Sequence, residues 1–441
     1  MYNQINLKDK DGKEYIVKMK VLIISHNCTN SLTNMGLTIK SIIKNLPTMQ
    51  ACQLYIKSSF ADENICTSWF LLSDNMVLRN ILNRKNIGEE IGFDKIDKLK
   101  SRNISKSTKT NNINEKERKL LLRDMIWKFS KWKTDSLKDW MEKESPEIII
   151  VFPGQSLFIY SITKYVSKYL NIPVVYFYTD DYYYYQPKTK SFFYKVQHNR
   201  IKKRMNKYLS ENANIVTITD LMRDDYKSLF PSANTISYLS VPTLIKEKKK
   251  QEEYDFVYLG SLSHGRWKTL IEIGKVLDDL NGKYKLDIFS GCTEQEIIDN
   301  FENINSIHFH GYVNSSKVSK IIAKSKIALH VEDITGKYID RVKYTFSTKI
   351  ADILNSDTCL MIVAPRDIAL TKYCIDNDCA YVITDKNNLK DRINKIMEND
   401  ELRNNYIIKA SEIVRKNHNA YINGKKLEKY LNDIINKEGV V

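Results

Sequence analysis

The sequence predicts an α/β protein built from two Rossmann-like domains. Short, nearly continuous apolar runs recur along the chain, and segments with helical periodicity separate them. Such runs are typical of strands in parallel sheets that helices cover on both faces. A charged, proline-containing stretch around Leu239–Asp255 divides the runs into two series, so we expect two domains of this type.

The two series of predicted strands set the expected domain boundaries. We place the first domain at residues 1–240, the second at 250–405 and a helical segment without strands at 406–441, whose helix we expect to return to the first domain. The first series of strands comprises Val21–Ser25, Gln53–Lys57, Glu147–Phe152, Val174–Thr179 and Ile215–Thr219. The second series comprises Phe256–Gly260, Lys285–Phe289, Ile307–Gly311, Ile327–Glu332, Cys359–Ala364 and Ala380–Thr384.

The composition limits which classes of protein and which kinds of partner the chain fits. The 441 residues carry 69 Lys and Arg against 53 Asp and Glu, a formal net charge of +16, which suits nucleic acid, an anionic membrane or an anionic substrate. No run approaches the ~18 consecutive apolar residues of a membrane-spanning helix, and the N-terminus lacks the apolar core of a secretory signal. The seven cysteines are scattered without a CxxC pair, so we predict reduced thiols and no metal site. We expect a cytoplasmic protein, or one peripheral on the inner face of the plasma membrane.

Two segments concentrate the positive charge. Lys188–Lys207 holds eight Lys or Arg and no acidic residue, interleaved with Phe and Tyr. This pattern suits an anionic membrane surface, and a solvated face in a lysine-rich chain is the alternative. Lys100–Lys119 holds seven basic and two acidic residues among Ser, Thr and Asn, which predicts a mobile insertion. We expect the helix after it to pack on its own sheet through a stripe that comprises Leu122, Ile126, Phe129, Leu137 and Trp140, widened by Trp127 and Trp132.

Polar residues at the ends of two strands are candidates for a site in the first domain. His26 follows the first strand and Gly36 precedes the next helix, where side chains and backbone N–H groups can hold a sugar hydroxyl or an anion. Asp180 and Asp181 end the strand Val174–Thr179, where a carboxylate can bind an acceptor hydroxyl or act as a general base. Neighbouring strand residues point to opposite faces, so this pair is not expected to share a metal ion.

The second domain begins with a strand, a loop and a cationic helix start. Its first strand ends at Gly260 and Ser261, and Arg266 and Lys268 lie at the start of the following helix. Two cations beside the free N–H groups of a helix N-terminus can hold a diphosphate. An ordinary solvated helix start is the alternative.

A second strand of the same domain ends in a carboxylate. Glu332 closes the strand Ile327–Glu332, and Ser347, Lys349 and Asp352 lie at the start of a later helix. Carboxylates accept hydrogen bonds from sugar or ribose hydroxyls, and Ser and Lys bind phosphate. These residues together predict one nucleotide-sugar pocket.

The pattern resembles the GT-B glycosyltransferases, closest to the family 4-like enzymes of bacterial surface-polysaccharide assembly, over most of the chain apart from Lys100–Lys119. In that family a strand ending in Gly is followed six residues later by a phosphate-binding Lys, and Arg266 holds that position here. Ser261 replaces the family's Arg directly after the Gly. The family's first donor-site Glu matches Glu332, and its second acidic residue best matches Asp352. Asp333-Ile334-Thr335 replaces the family's Gly-aromatic-Gly run.

The resemblance implies two domains that face each other across a cleft. It also implies a retaining, metal-independent transfer from a nucleotide-diphosphate sugar to a glycan or lipid-linked glycan, for surface or capsular polysaccharide synthesis and without a cofactor. Arg266 and Lys268 would stabilise the departing diphosphate, and Glu332 and Asp352 would position the donor sugar and ribose. Asp180 and His26 would face the acceptor, with Asp180 a contact residue first and a base second.

Two other classes of function stay open on the sequence. A GT-B scaffold that binds a nucleotide sugar without catalysis fits Ser261 and the missing glycine run. A basic nucleic-acid-binding α/β protein fits the net charge, but the chain has no helix-turn-helix, RRM or zinc-finger signature, so we expect no nucleic-acid partner.

Overall fold

The chain forms two compact units. The computed structural model describes residues 5–8, 14–17, 19–31, 33–46, 48–63, 65–83, 86–92, 113–184, 192–244, 246–247 and 251–438. Unit 1 comprises Met1–Tyr238 and Gly424–Val441, and unit 2 comprises Leu239–Asn423. Each unit has its own parallel sheet and its own apolar core.

Unit 1 is built mainly on one sheet of eight strands. Its helices are α1 (Asn34–Lys44), α2 (Asp74–Asn83), α3 (Ile113–Phe129), α4 (Asp135–Glu144), α5 (Leu157–Leu170), α6 (Phe192–Leu209), α7 (Asp220–Leu229) and most of α16 (Ala420–Glu438). Its strands are β1 (Ile5–Lys8), β2 (Glu14–Val17), β3 (Met19–Ser25), β4 (Met49–Tyr55), β5 (Trp69–Leu71), β6 (Glu89–Ile91), β7 (Ile148–Val151), β8 (Val174–Tyr178), β9 (Asn214–Thr217) and β10 (Asn234–Ser237).

The order of the strands in unit 1 fixes where a ligand can bind. The sheet runs β10-β9-β8-β7-β3-β4-β5-β6, and β6 is antiparallel to β5. The chain winds outward from β3 in one direction and from β7 in the other, so the loops after these two strands leave the sheet on opposite faces. The crevice between them, at the carboxyl ends of the strands, is where open α/β sheets bind their ligands.

Unit 2 has the same construction around six parallel strands. Its sheet has the order β13-β12-β11-β14-β15-β16, so its switch point lies between β11 and β14. Its strands are β11 (Tyr254–Leu259), β12 (Leu286–Phe289), β13 (Ile307–Gly311), β14 (Ser325–Val331), β15 (Cys359–Val363) and β16 (Tyr381–Ile383). Its helices are α8 (Arg266–Asp279), α9 (Gln295–Glu302), α10 (Ser315–Ala323), α11 (Ile339–Val342), α12 (Thr348–Leu354), α13 (Ala369–Asp376), α14 (Leu389–Glu398) and α15 (Asp400–Asn417).

The C-terminal helix returns to unit 1, as the sequence predicted. Leu427, Leu431 and Ile434 of α16 are buried in the core of unit 1. Gly424 makes this approach possible, because a Cβ on it would lie 1.9 Å from the backbone oxygen of Asn45. The strands predicted from apolar runs are all present, with shifted ends, and the two-sheet α/β fold class is confirmed.

The segment after the basic insertion differs from the expectation. The predicted apolar stripe is divided between two helices, α3 and α4, and Phe129 is 68% exposed. Leu137, Trp140, Trp127 and Trp132 are buried as expected, and the indole N–H of Trp127 donates to Asp74 of α2. Residues 93–112, which include most of the predicted mobile insertion Lys100–Lys119, lie outside the described residues.

Candidate functional site

The switch point of unit 2 brings together two of the residues predicted from the sequence. Arg266 begins α8 after the loop that follows β11, and Glu332 directly follows β14. Arg266 Nε donates to Glu332 Oε2 at 2.8 Å and its Nη2 donates to Oε1 at 2.7 Å. This two-bond geometry is the strongest form of pairing between a guanidinium and a carboxylate. Residues 66 positions apart are thus joined at the edge where the ligand of an α/β sheet binds.

The pair is buried and ionised. The Glu332 side chain is 1% exposed and that of Arg266 is 18% exposed. Burial alone would raise the pKa of Glu332, but hydrogen bonds from His330 and Arg266 outweigh it and lower that pKa below its usual value. His330 Nε2 lies 3.4 Å from Glu332 Oε1, so the imidazole of His330 faces the same carboxylate as the guanidinium of Arg266.

The loop before Arg266 depends on two residues in the left-handed region. His264 has a φ of 60° and Gly265 a φ of 78°. A Cβ on Gly265 would lie 3.0 Å from Asp333 and from Tyr338, which belong to the loop after β14. Gly265 therefore lets the two loops of the switch point pack closely, and a larger residue there would push them apart.

An arginine from a distant part of the chain joins this loop. Arg341 of α11 donates from Nε to His264 Nε2 at 3.1 Å. Burial, followed by the charges of Arg341 and Arg266, lowers the pKa of His264 from 6.5 to about 4. The ring is therefore neutral near pH 7 and accepts this hydrogen bond. Arg341 is a charged residue of the site that the sequence analysis missed.

Lys349 lies near the same pair. Its Nζ donates to the backbone oxygen of Leu259, the last residue of β11, at 3.2 Å. Loss of water around the ammonium, followed by the charge of Arg266, lowers its pKa. Ser347 is the N-cap of α12, but its side chain makes no capping hydrogen bond.

Asp352 bonds to the segment before β11, and its predicted contact with a ribose stays a prediction. Its Oδ1 accepts hydrogen bonds from the backbone N–H groups of Thr243 and Leu244, at 2.6 and 2.8 Å. The Thr243 hydroxyl lies 3.3 Å from Oδ2. Burial raises the pKa of Asp352 in spite of these bonds. The carboxylate therefore holds the start of the segment before β11.

The remaining predicted donor residues lie around the loop after β11. The Ser261 hydroxyl lies 2.9 Å from that of Ser263, and a Cβ on Gly260 would lie 2.9 Å from the Tyr258 hydroxyl. Lys268 is exposed, with its Nζ 5.3 Å from the centre of the Trp267 ring. Lys268 lies in the first turn of α8, but no contact places it on the Arg266–Glu332 pair.

The switch point of unit 1 carries His26, as predicted. His26 follows β3, and its Nδ1 lies 3.5 Å from Nη2 of Arg123 on α3. Burial, followed by the charge of Arg123, lowers the pKa of His26 from 6.5 to about 3, so the ring is neutral. Gly154, in the loop after β7, has a φ of 59°, and a Cβ on it would lie 3.3 Å from the His26 ring. The two loops of the switch point thus meet at this histidine.

Helix α3 lies against this edge of unit 1, which the sequence did not predict. Arg123 Nε donates to Asp74 at 2.8 Å, and its guanidinium lies 4.8 Å from the centre of the Phe158 ring. Asp124 accepts from the backbone N–H of Leu157, the first residue of α5, at 3.1 Å. Both side chains thus fix α3 to the loops around His26.

Gly36 has a packing role. It lies in the first turn of α1, and its N–H donates to the Thr33 side chain that caps the helix. A Cβ on Gly36 would lie 2.7 Å from oxygens of Asn30 and Cys28. The N–H of Gly36 is thus bonded within the protein, and its predicted contact with an acceptor stays a prediction.

The two neighbouring aspartates have different environments. Asp181 accepts from the backbone N–H groups of Tyr183 and Tyr184 and from the Tyr226 hydroxyl, so it organises the turn after β8. Asp180 is exposed, and its Oδ2 lies 3.4 Å from the Tyr182 hydroxyl. Asp180 is therefore the more accessible of the two to an acceptor.

Comparison with known proteins agrees with this geometry. Residues 243–426 match the family model described as "Glycosyl transferase-like". This range contains Arg266, Glu332 and Arg341. In sequence, unit 2 therefore resembles the glycosyl transferases that this model describes. No curated protein matches the chain in sequence.

Solved structures show that the fold is GT-B. Anabaena HepE in complex with UDP and glucose is 11% identical, with 94% of this chain and 100% of HepE covered and a TM-score of 0.59. TarM is 12% identical, with 94% and 99% covered and a TM-score of 0.60. Sucrose-phosphate synthase from Thermosynechococcus elongatus is 10% identical, with 95% and 100% covered and a TM-score of 0.59. The predicted GT-B fold is confirmed, and membership of family 4 stays a prediction.

Proposed function

We propose that this GT-B protein transfers a sugar from a UDP-sugar to a glycan or lipid-linked glycan acceptor during synthesis of a bacterial surface polysaccharide. The observation that carries the proposal is the buried Arg266–Glu332 pair at the switch point of a glycosyl transferase-like domain. The choice of UDP is supported by the GT-B structures that were solved with it, HepE with UDP and glucose and S. aureus TarM with UDP.

Transfer requires the protein to stabilise a departing diphosphate. The bonds to Glu332 use Nε and Nη2 of Arg266, so Nη1 is the nitrogen that we expect to meet a phosphate oxygen. Arg341 and Lys349 lie near the same loop and add positive charge. Fixed cations aimed at developing negative charge lower the barrier of such a reaction, and here they would substitute for a metal ion. Metal independence is part of the proposal.

Glu332 is proposed to position the donor sugar. Its carboxylate is held ionised and oriented by Arg266 and His330, so its oxygens offer fixed acceptors for sugar hydroxyls. The reaction is proposed to proceed with retention at the anomeric carbon, where the leaving phosphate takes the acceptor proton. A dedicated protein base is then unnecessary, and exposed Asp180 serves as an acceptor contact.

Unit 1 is proposed to bind the acceptor around His26. A neutral imidazole can exchange hydrogen bonds with sugar hydroxyls without attracting the anionic donor. We also propose a location at the inner face of the plasma membrane, supported by the basic stretch Lys188–Lys207, of which α6 is the described part.

The test is release of UDP from UDP-glucose and UDP-N-acetylglucosamine in the presence of a chelator. The native protein is expected to release UDP, and Arg266→Gln is expected to release it about 100-fold more slowly. Glu398→Gln is the matched control, because Glu398 forms an exposed ion pair with Lys283 of unit 2. No UDP release from any donor, with or without a divalent metal, would contradict the proposed activity.

A scaffold that binds the donor without turnover is the second candidate. It is favoured by Ser261, which stands at the position of the family's arginine. Donor binding in a titration, together with no UDP release, would identify this function.

A further inference from the structure

Helix α3 exposes a continuous apolar stripe. Leu122 is 56% exposed, Met125 50% and Phe129 68%. Their spacing of three and four residues places the three side chains on one face of the helix. A helix on the surface of a globular protein usually carries polar residues on its outer face. This stripe, Leu122, Met125 and Phe129, therefore needs an explanation.

The stripe cannot turn inward, because the opposite face of α3 is fixed. Trp127 is 1% exposed and donates to Asp74 at 2.8 Å. Asp124 is buried, and it accepts from Leu157 N–H and from the Gln197 side chain at 2.7 Å. Rotating the helix would break this network and bury unsatisfied polar groups. The stripe is thus a permanent part of the surface of unit 1.

The helices that pack against α3 also carry exposed apolar side chains. Helix α2 is joined to α3 by Asp74, and helix α6 is joined to it by Gln197. Leu78 and Ile81 of α2 are 47% and 37% exposed. Phe192 and Phe193 of α6 are 72% and 38% exposed. We call the outer sides of these three helices the α2–α3–α6 face.

On these three helices, the exposed charged side chains that the structure describes are cationic. Among the side chains that the structure describes on these helices, the acidic ones are Asp74 and Asp124. Asp74 forms an ion pair with Arg123, and Asp124 is buried. These described and exposed cationic side chains are Arg79, Arg118, Lys119, Lys128, Lys195, Lys203 and Lys207.

We propose that the α2–α3–α6 face docks on an anionic lipid bilayer. Large apolar side chains flanked by Lys and Arg are the composition of surfaces that lie at the boundary between headgroups and acyl chains. A second copy of the chain would bring two positive faces together, which electrostatic repulsion opposes. A nucleic acid would use the cations but leave the apolar stripe in water.

Docking at this face would serve the candidate acceptor site. Arg123, which contacts His26, lies between the exposed Leu122 and the buried Asp124 on α3. The helix thus touches the acceptor site with one side and the bilayer with the other. A bilayer next to the acceptor site would favour an acceptor that is anchored in the membrane. This inference about the acceptor rests on the proposed function.

The experiment is flotation of the full chain with phosphatidylcholine vesicles, with and without phosphatidylglycerol. We expect binding to the anionic vesicles that weakens as salt is added, because the cations are screened. The triple variant Leu122→Ser, Met125→Ser, Phe129→Ser is expected to bind the anionic vesicles more weakly than the native protein, by a factor of about ten or more. The matched control is Ile408→Ser with Ile422→Ser, which removes exposed apolar side chains elsewhere and is expected to bind like the native protein.

Two outcomes of these experiments would overturn the proposal that the α2–α3–α6 face docks on a bilayer. Equal vesicle binding by the native chain and the triple variant would show that the stripe does not contact the membrane. A native dimer that becomes monomeric in the triple variant, without vesicle binding, would make the face an interface between copies. UDP release from a donor is measured in parallel, so that failure of docking and failure of the proposed activity are distinguished. The α3 variants are checked by circular dichroism, and Phe129→Tyr provides a folded variant with a smaller change in polarity.

Discussion

Arg266 and Glu332 form a buried ion pair in which both carboxylate oxygens accept from one guanidinium. The pair connects the first helix of unit 2 to the end of its neighbouring central strand. Breaking a buried pair by removing one partner leaves an uncompensated charge, which typically costs roughly 3–5 kcal/mol. The pair is therefore expected to contribute to the stability of unit 2 as well as to donor binding.

The first prediction concerns both effects. We expect Arg266→Met and Glu332→Gln each to lower the free energy of unfolding of unit 2 by roughly 3 kcal/mol or more. The double variant should recover part of the loss, because no charge is then left without a partner. Denaturant unfolding of the four proteins measures the coupling. Additive losses in the double variant would show that the two side chains act independently.

A second prediction concerns Arg341, which the geometry places next to the loop before Arg266. We expect Arg341→Gln to raise the donor KM about tenfold, because one cation near the diphosphate is lost. Arg341→Lys keeps the charge and should be affected less. Initial rates of UDP release measure both variants. A KM unchanged in Arg341→Gln would remove Arg341 from the site.

A third prediction separates structure from binding at Asp352. Asp352→Asn should lower the free energy of unfolding by roughly 1–3 kcal/mol, because a buried acceptor of two backbone N–H groups is weakened. The donor KM should not change. Asp357→Asn, which alters an exposed ion pair with Lys246, is the matched control. A raised donor KM with unchanged stability would restore the ribose contact that the sequence predicted.

A fourth prediction follows from the two neutral histidines. The pKa of His264 falls from 6.5 to about 4 on folding, and that of His26 from 6.5 to about 3. Groups with lowered pKa values stabilise the fold fully above their unfolded value of 6.5 and lose this contribution as the pH falls toward the folded value.

Thermal unfolding measured from pH 7 downward tests this effect. The native Tm should fall below pH 6.5, and His264→Asn should show a shallower fall, because one of the two groups no longer titrates. The carboxylate of Glu332, whose pKa is also lowered, acts in the same direction at lower pH. A native Tm that stays constant between pH 7 and about 5 would contradict the assignment of both rings as neutral in the folded protein.

The fold class and part of the site could be predicted from the sequence because both are encoded in short, contiguous segments of the chain. Apolar runs identify strands directly; Glu332 closes one such run, and Arg266 begins the helix that follows another. Arg341 was not accessible, because it belongs to a four-residue helix and meets His264 across 77 positions of sequence. A local pattern does not encode such a contact.

Two features of the structure depend on the orientation of side chains, which the sequence does not show. The carboxylate of Asp352, on α12, accepts a hydrogen bond from the backbone N–H of Thr243, a contact that the sequence analysis did not predict. In α3 the apolar spacing suggested an inward stripe, but the buried face is set by the polar partners of Trp127 and Asp124. Helical periodicity defines a face without showing which neighbours that face meets.

The central claim is that the Arg266–Glu332 site binds a nucleotide-diphosphate sugar without a metal ion. It is tested most directly by calorimetric titration of UDP-, GDP-, ADP- and CDP-sugars in the presence of a chelator, on the native protein, on Glu332→Gln and on the control Glu398→Gln. We expect UDP-sugars, and no other class of donor, to bind the native and control proteins. Their affinity for Glu332→Gln should be lower by a factor of about ten or more. No binding of any donor to the folded native protein, or equal binding by Glu332→Gln, would contradict the account.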